Sequence, residues 1–281
     1  MKTDRPQAEP MPKAFPHRSW LFVPGDRPER FSKALSSRAD AVILDLEDGV
    51  GDGNREAAIA NVDAFLARHP AGGSVSVWVR VDDAISRRAE VERLVRHNSL
   101  DGIVVPKFER PEQCAGWNKP VMAIIETPRG VVDAACITRA AVQNLHGIAL
   151  GPEDLSISLG VPPCHASLIH AASTIAFAAH AAKVWAYACP GSIGDHRNLD
   201  AWRATLLAGR QLGSRGSLCV HPAQVDSAND TFSPTAQEIE WAAGVCAAWD
   251  RAGGMGVLSV EGKMIDLPVV IRARQILSRR H

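Results

Sequence analysis

Eight short, β-rich apolar runs recur along the chain, each separated from the next by a stretch of helical periodicity. This alternation limits the fold more than any other feature. The runs cover residues 19–25, 41–48, 76–81, 102–107, 121–127, 147–154, 184–190 and 217–222. Most are continuously apolar rather than alternating, as parallel strands covered by helices on their outer face require. Between them, stretches such as 55–69 and 84–98 place Ala, Leu, Val and Ile at helical spacing among Arg and Glu. Eight βα units close naturally into a (β/α)8 TIM barrel. The alternative, an open doubly wound sheet, lacks its usual mark, because no G-x-G-x-x-G opens a helix after any of the runs.

The pattern changes at both ends. Residues 1–17 carry prolines at 6, 10, 12 and 16 and no apolar core of a secretory signal, so they are expected to be a disordered tail. The barrel is expected over 18–232 and a C-terminal helical extension or lid over 233–281. In that extension Pro234 is expected at the first position of a helix reaching about Arg251, and a last helix starts near Pro268.

Composition removes several classes of partner. The 281 residues hold 31 basic and 31 acidic side chains, so no bulk charge draws the chain to nucleic acid or to an anionic membrane. No apolar run reaches the ~18 residues of a membrane span. The six cysteines are more than 20 residues apart without a C-x-x-C pair, which argues against zinc and redox motifs and for a cytoplasmic chain with reduced thiols.

Barrel enzymes carry their chemistry at the C-terminal ends of the strands, and polar residues gather there. The runs end in Asp45, Glu47 and Asp48, then Arg80, Lys107, Glu126, Glu153 with Asp154, and His221. Glu126 and Asp154, on adjacent strands, could share a Mg2+ ion, leaving coordination sites for substrate. The alternative is that each acid pairs with Arg80 or Lys107. Arg80 offers a planar fork for a carboxylate, and Gly151, in a loop opening into a helix, lets backbone N–H groups approach an anion. The Asp45–Asp48 cluster does not match a calcium loop and is expected to orient Arg80 or metal-bound water. His221 is either a base or a turn-fixing residue. Arg27 and Arg30 either touch a phosphate or form a solvated face.

Taken in order, these segments resemble the citrate lyase β-subunit-like branch of the HpcH/HpaI aldolase family. They are Arg18-Ser-Trp-Leu-Phe-Val-Pro-Gly25, Asp45-Leu-Glu-Asp48, Val79-Arg80, Pro106-Lys107, Ile125-Glu-Thr-Pro128, Gly151-Pro-Glu-Asp-Leu155, Cys219-Val-His-Pro-Ala-Gln224 and Gly262-Lys-Met-Ile-Asp-Leu-Pro268. The resemblance implies Mg2+ on Glu126 and Asp154, a keto acid held by Arg80, acid–base chemistry by Asp266 on a C-terminal lid, and a homotrimer or hexamer. From their places at the strand ends, Lys107, Gly151, Pro152 and Glu153 are expected to help bind the substrate, and Asp45 and Glu47 to join Arg80 in the catalytic group. Two departures bear on the thioester end of the substrate: Gly213-Ser-Arg-Gly-Ser217 lacks the Phe and Lys of a G-F-x-G-K segment, and Ala58-Ile59 stands where Ala-Arg is usual.

The implied reaction is cleavage of a 3-hydroxy-acyl thioester or related hydroxy acid to release a 2-keto acid such as oxaloacetate or glyoxylate. The acyl group would ride on CoA or a carrier protein. The rivals are a pyruvate-dependent class II aldolase without a thioester and a noncatalytic keto-acid-binding barrel.

Overall fold

A computed structural model describes residues 16–82, 85–253, 256–260 and 263–279. Contacts divide the chain into two compact units, one up to Asp230 and one from Thr231 onward.

The first unit is the barrel. Its strands are β1 Ser19–Pro24, β2 Ala41–Asp45, β3 Ser76–Arg80, β4 Gly102–Val105, β5 Val121–Ile125, β6 Leu145–Leu150, β7 Trp185–Tyr187 and β8 Ser217–Cys219. All neighbouring pairs are parallel, in the order β7-β6-β5-β4-β3-β2-β1-β8. The connecting helices are α1 Phe31–Leu35, α2 Arg55–Leu66, α3 Arg88–Leu94, α4 Pro128–Ala141, α5 Pro152–Leu159, α6 His165–Ala181 and α7 Leu199–Gln211, and α8 Val225–Phe232 follows the last strand. Strands such as Val121–Ile125 are buried at every position, which explains their unbroken apolar sequence.

The ring is nearly closed. No ladder joins β7 to β8; instead the buried Ser214 hydroxyl accepts from Ala188 N at 2.9 Å and donates to Ala188 O at 3.0 Å, and Arg215 N donates to Ala186 O at 2.9 Å. The segment that departs from G-F-x-G-K is therefore what seals the seam. At Gly216 a Cβ would overlap the carbonyl of His17.

Aromatic side chains fill the barrel around Trp20, which packs against Trp78 at 5.0 Å, Tyr187 at 5.2 Å, His146 at 5.7 Å and His17 at 4.7 Å between ring centroids. This corrects the expectation for the last two residues of the 1–17 tail: Pro16 is buried and His17 belongs to the core. Residues 1–15 lie outside the described residues.

The second unit is built on α9 Ala236–Arg251, an antiparallel hairpin of β9 Leu258–Val260 and β10 Lys263–Ile265, and α10 Leu267–Leu277. Ala242, Val245, Trp249, Ile265, Val270, Ala273 and Ile276 form its own core. Pro234 does not open α9. Thr235 caps it, accepting from Glu238 N while Glu238 reaches back to Thr235 N, so the proline stands one residue outside.

Candidate active site

Strand register sets the first part of the site. Asp45 and Arg80, the last residues of β2 and β3, are direct partners in the sheet. The Arg80 fork grips Asp45 from Nε and Nη2, both at 2.6 Å, and its Nη1 lies 2.8 Å from Glu47 Oε2 and 3.6 Å from Asp48. Backbone N–H groups of Glu47 and Gly49 donate to the same Asp45 carboxylate at 3.0 and 2.9 Å. The Phe22 ring lies 4.7 Å beneath the guanidinium. Burial works against the Arg80 charge, yet Asp45, Glu47 and Asp48 outweigh it and raise its pKa. Arg80 is thus fixed and permanently charged.

Lys107 joins this cluster to the next strands. Its Nζ donates to Glu47 Oε1 at 2.6 Å, and its backbone N–H donates to Glu126 Oε1 at 2.8 Å. Burial pushes Glu47 up to about 7, against the pull of Arg80 and Lys107. Glu47 Oε2 accepts no hydrogen bond among the described residues despite its short approach to Arg80.

Glu126 is 4% exposed. Burial, reinforced by the nearby charges of Glu47 and Asp154, lifts its carboxyl to about 8. Among the described residues its Oε2 has no donor, and the Asp154 carboxylate has no partner at all. The alternative in which these two acids pair with Arg80 or Lys107 side chains is not what forms; those cations are taken by Asp45, Glu47 and Asp48. A buried carboxylate with one free oxygen, its pKa raised in part by a neighbouring carboxylate that has no partner among the described residues, fits a hard divalent ion. Among the described residues no group of three His, Cys, Asp or Glu side chains is spaced to hold a metal. An ion on this pair therefore takes its remaining ligands from water and substrate.

Gly151 and α5 position Asp154. A Cβ on Gly151 would overlap Glu126 Oε2, so only glycine lets the backbone pass this close. Pro152 occupies the first turn of α5, where its missing N–H costs little, and is buried. Glu153 lines the active-site cavity but commits its carboxylate to the protein. Its Oε1 accepts from Ser192 Oγ at 2.6 Å and from Ile193 N and Gly194 N at 3.0 Å each, so it anchors the loop after β7.

One cavity of about 370 Å3 is lined on its charged side by Asp45, Asp48, Arg80, Glu126, Glu153 and Asp154. Its apolar side, which sequence reasoning did not identify, consists of Phe22, Pro24, Ile124, Ile193, Leu218 and Val220. Gln224, also overlooked, ties this side together: Oε1 accepts from Val220 N and His221 N at 2.9 and 3.0 Å, and Nε2 donates to Ile193 O at 2.9 Å. The sequence signals were the Arg18–Gly25 and Cys219–Gln224 segments, which hold Phe22, Pro24, Val220 and Gln224 without revealing their roles, and the Gly-Ser-Ile-Gly run at 191–194.

His221, Arg27 and Arg30 are not among the residues lining the cavity. His221 caps a turn, its Nδ1 accepting from Ala223 N at 3.1 Å, and stacks on His196 at 4.4 Å. Arg27 and Arg30 are exposed side chains beside Asp26 and Glu29. Asp266 is the N-cap of α10, accepting from Val269 N at 3.2 Å.

Known proteins resemble this chain over most of its length. Residues 18–222 match the sequence model of the HpcH/HpaI aldolase/citrate lyase family. A citrate lyase subunit beta-like protein of Deinococcus radiodurans is 34% identical over 93% of this chain and 96% of its own. A (3S)-malyl-CoA thioesterase of Cereibacter sphaeroides is 32% identical over 95% of both chains. The crystal structure of the Mycobacterium tuberculosis protein CitE in complex with magnesium, acetoacetate and coenzyme A superposes with a TM-score of 0.77 at 30% identity, over 95% of this chain and 98% of that one. This chain belongs to the HpcH/HpaI aldolase/citrate lyase family.

Proposed function

We propose that the protein is a Mg2+-dependent carbon–carbon lyase that splits a 3-hydroxyacyl thioester into a 2-keto acid and a shorter acyl thioester. The observation that carries this reading is the pairing, in one cavity, of two carboxylates that bind no cationic side chain among the described residues with a fixed guanidinium. Glu126 and Asp154 would hold the ion, which when bound supplies Lewis-acid polarisation of the substrate's oxygens. The magnesium, keto-acid and coenzyme A complexes of the M. tuberculosis relative support the same assignment.

Arg80 directs its outer N–H groups at the oxygen where negative charge gathers, an effect worth several kcal/mol in a preorganised site. Asp45 and Glu47 are positioning residues, holding that fork rather than touching substrate. Lys107 neutralises Glu47 and orients Glu126; Gly151 and Pro152 bring the start of α5 up to the substrate, and Glu153 holds the facing loop. In the reaction the hydroxyl proton leaves to a base and the C–O bond becomes C=O. The C–C electron pair passes to the thioester α-carbon, which then takes up a proton. Asp266 is the base the family resemblance offers.

We also infer a homotrimer or hexamer. Val132 on α4, Ile157 on α5 and Phe177 on α6 are 83%, 78% and 78% exposed, and large apolar side chains on adjoining helices favour a covering surface. The compartment we assign is the cytoplasm, in keeping with six free thiols; no helix among the described residues is long and apolar enough to cross a membrane.

The test is turnover of malyl-, citramalyl- and citryl-CoA with Mg2+ and with EDTA. The expected result is Mg2+-dependent release of a keto acid that Glu126→Gln abolishes without altering the circular dichroism spectrum. Undiminished turnover in EDTA or in the variant overturns the assignment.

A further inference from the structure

The backbone at Lys107 is left-handed, with φ 48°. A residue strained in this way keeps its conformation only where its surroundings hold it there. Its N–H is held by Glu126 Oε1 at 2.8 Å. Its carbonyl is held from the loop that follows, where Gln113 Nε2 donates to Lys107 O at 3.2 Å. Gln113 Oε1 meanwhile accepts from Glu109 N and Arg110 N at 2.9 Å each, so one side-chain amide closes the turn between 107 and 113. The glutamine is itself fixed. It sits third in a 3-10 turn, Pro111–Cys114, and its carbonyl accepts from the buried Trp117 Nε1 at 3.1 Å. The same loop docks on the strand that carries Glu126, because the Thr127 hydroxyl donates to Glu109 Oε1 at 2.6 Å.

This arrangement recurs four strands away. After β8, His221-Pro222-Ala223-Gln224 repeats the Pro-x-Gln spacing that Arg110-Pro111-Glu112-Gln113 shows after β4. Each glutamine is the third residue of a 3-10 turn opened by the proline. Each accepts from two consecutive backbone N–H groups, Glu109 and Arg110 in one turn and Val220 and His221 in the other. They differ in what the amide donor reaches. Gln224 grips Ile193 O in the apolar wall of the cavity, whereas Gln113 grips Lys107 O, one residue's backbone away from the donor that orients Glu126.

We infer that Gln113 is a positioning residue for the metal site: by gripping the Lys107 carbonyl it keeps the Lys107 N–H on Glu126 and so sets how tightly Glu126 and Asp154 hold a divalent cation. This rests on the Mg2+ assignment above and extends it to a residue that does not line the cavity. Without the grip, Lys107 relaxes toward negative φ, which is the lower-energy region for any side chain other than glycine. That relaxation reorients the two peptide planes that meet at Lys107, and the N–H on Glu126 belongs to one of them. A ligating carboxylate that loses its orienting donor holds its ion less tightly.

The experiment is calorimetric titration of Mg2+ into the full chain, comparing wild type with Gln113→Glu and Gln224→Glu. Glutamate at either position keeps an acceptor for the two N–H groups, and with it the turn, but sets a carboxylate oxygen against the carbonyl that the amide gripped. Gln113→Glu should weaken Mg2+ binding by about tenfold or more. Gln224→Glu makes the identical change away from Glu126 and should bind Mg2+ as wild type does. If circular dichroism shows that Gln113→Glu does not fold, Gln113→Ala takes its place and should show the same loss. Wild-type Mg2+ affinity in a folded Gln113 variant, or an equal loss in Gln224→Glu, overturns the inference. The lyase assignment then still stands, because the wild-type chain binds the ion. A wild-type chain that binds no Mg2+ overturns both.

Discussion

Lys107 reaches Glu126 through its backbone N–H rather than its ammonium, donating to Oε1 at 2.8 Å from a left-handed conformation with φ 48°. The side chain is thereby freed to bind Glu47 at 2.6 Å, so one strained residue positions two carboxylates. A non-glycine residue in this region costs about 1 kcal/mol. Lys107→Gly should therefore be more stable than Lys107→Ala by about 0.5–1 kcal/mol in urea unfolding. Both variants should lose turnover, because Glu47, which faces Arg80, loses its ammonium counter-charge.

Gly151→Ala tests how closely the backbone and the carboxylate pair must approach. The added methyl would overlap Glu126 Oε2 and crowd the Ile124 side chain at 3.0 Å. Either Glu126 rotates away or the start of α5 retreats, at a cost of about 1–3 kcal/mol. Mg2+ affinity should fall by more than about tenfold, measured by calorimetry, while far-UV circular dichroism stays unchanged. Unaltered Mg2+ binding would separate Glu126 from the ion.

The barrel itself was legible because its eight strands are buried on both faces and so read as unbroken apolar runs; Val121–Ile125 and Ala41–Asp45 could hardly be anything else. What failed was where strands stop. The run at 147–154 ends as a strand at Leu150, and Pro152 to Asp154 already belong to α5, a change that polarity alone cannot mark. The Arg80–Asp45 grip was foreseen only as a general pairing, since strand register decides that these two residues stand opposite each other. The role of Glu153 was out of reach, because its partners at 192–194 lie some forty residues away in a loop with no pattern of its own. His17 looked like tail because its neighbours are prolines, and only the aromatic cluster around Trp20 explains why it is held.

Glu153 and its loop give a prediction that separates anchoring from substrate contact. Replacing it with Ala leaves two backbone N–H groups and the Ser192 hydroxyl without their acceptor, at a cost of about 1–3 kcal/mol in stability. With the Ile193 wall loosened, KM should rise more than kcat falls. Glu153→Gln, which keeps an acceptor oxygen, should restore most of both. A substrate-binding role would instead show equal losses in the two variants.

Acid sensitivity should come from the aromatic cluster. Burial holds His146 down at about 3, and it lowers His17 as well. Both rings are then neutral in the folded protein where the unfolded chain would be protonated. Their contribution to stability is complete above the unfolded pKa of about 6.5 and is lost as pH falls through the window toward 3. The slope is at most about 1.4 kcal/mol per pH unit for each ring, and His146 keeps an exposed edge that reduces it. Urea unfolding between pH 7 and pH 5 should show the loss, and His146→Gln should flatten it. An unchanged slope in the variant would assign the acid sensitivity to other groups.

Asp266 has a structural role that the fold displays, and the base role proposed for it from the family resemblance can be tested apart from that one. As the N-cap of α10 it accepts from Val269 N at 3.2 Å, and its loss to Ala should cost about 1 kcal/mol. Asparagine caps as well as aspartate, so Asp266→Asn should unfold at the wild-type urea midpoint. An amide cannot take up the hydroxyl proton, however, so if Asp266 is the base the Asn variant should lose kcat by about a hundredfold or more with its stability intact. Wild-type turnover in Asp266→Asn, together with lowered stability in Asp266→Ala, would leave Asp266 as a helix cap and move the search for the base back to the barrel.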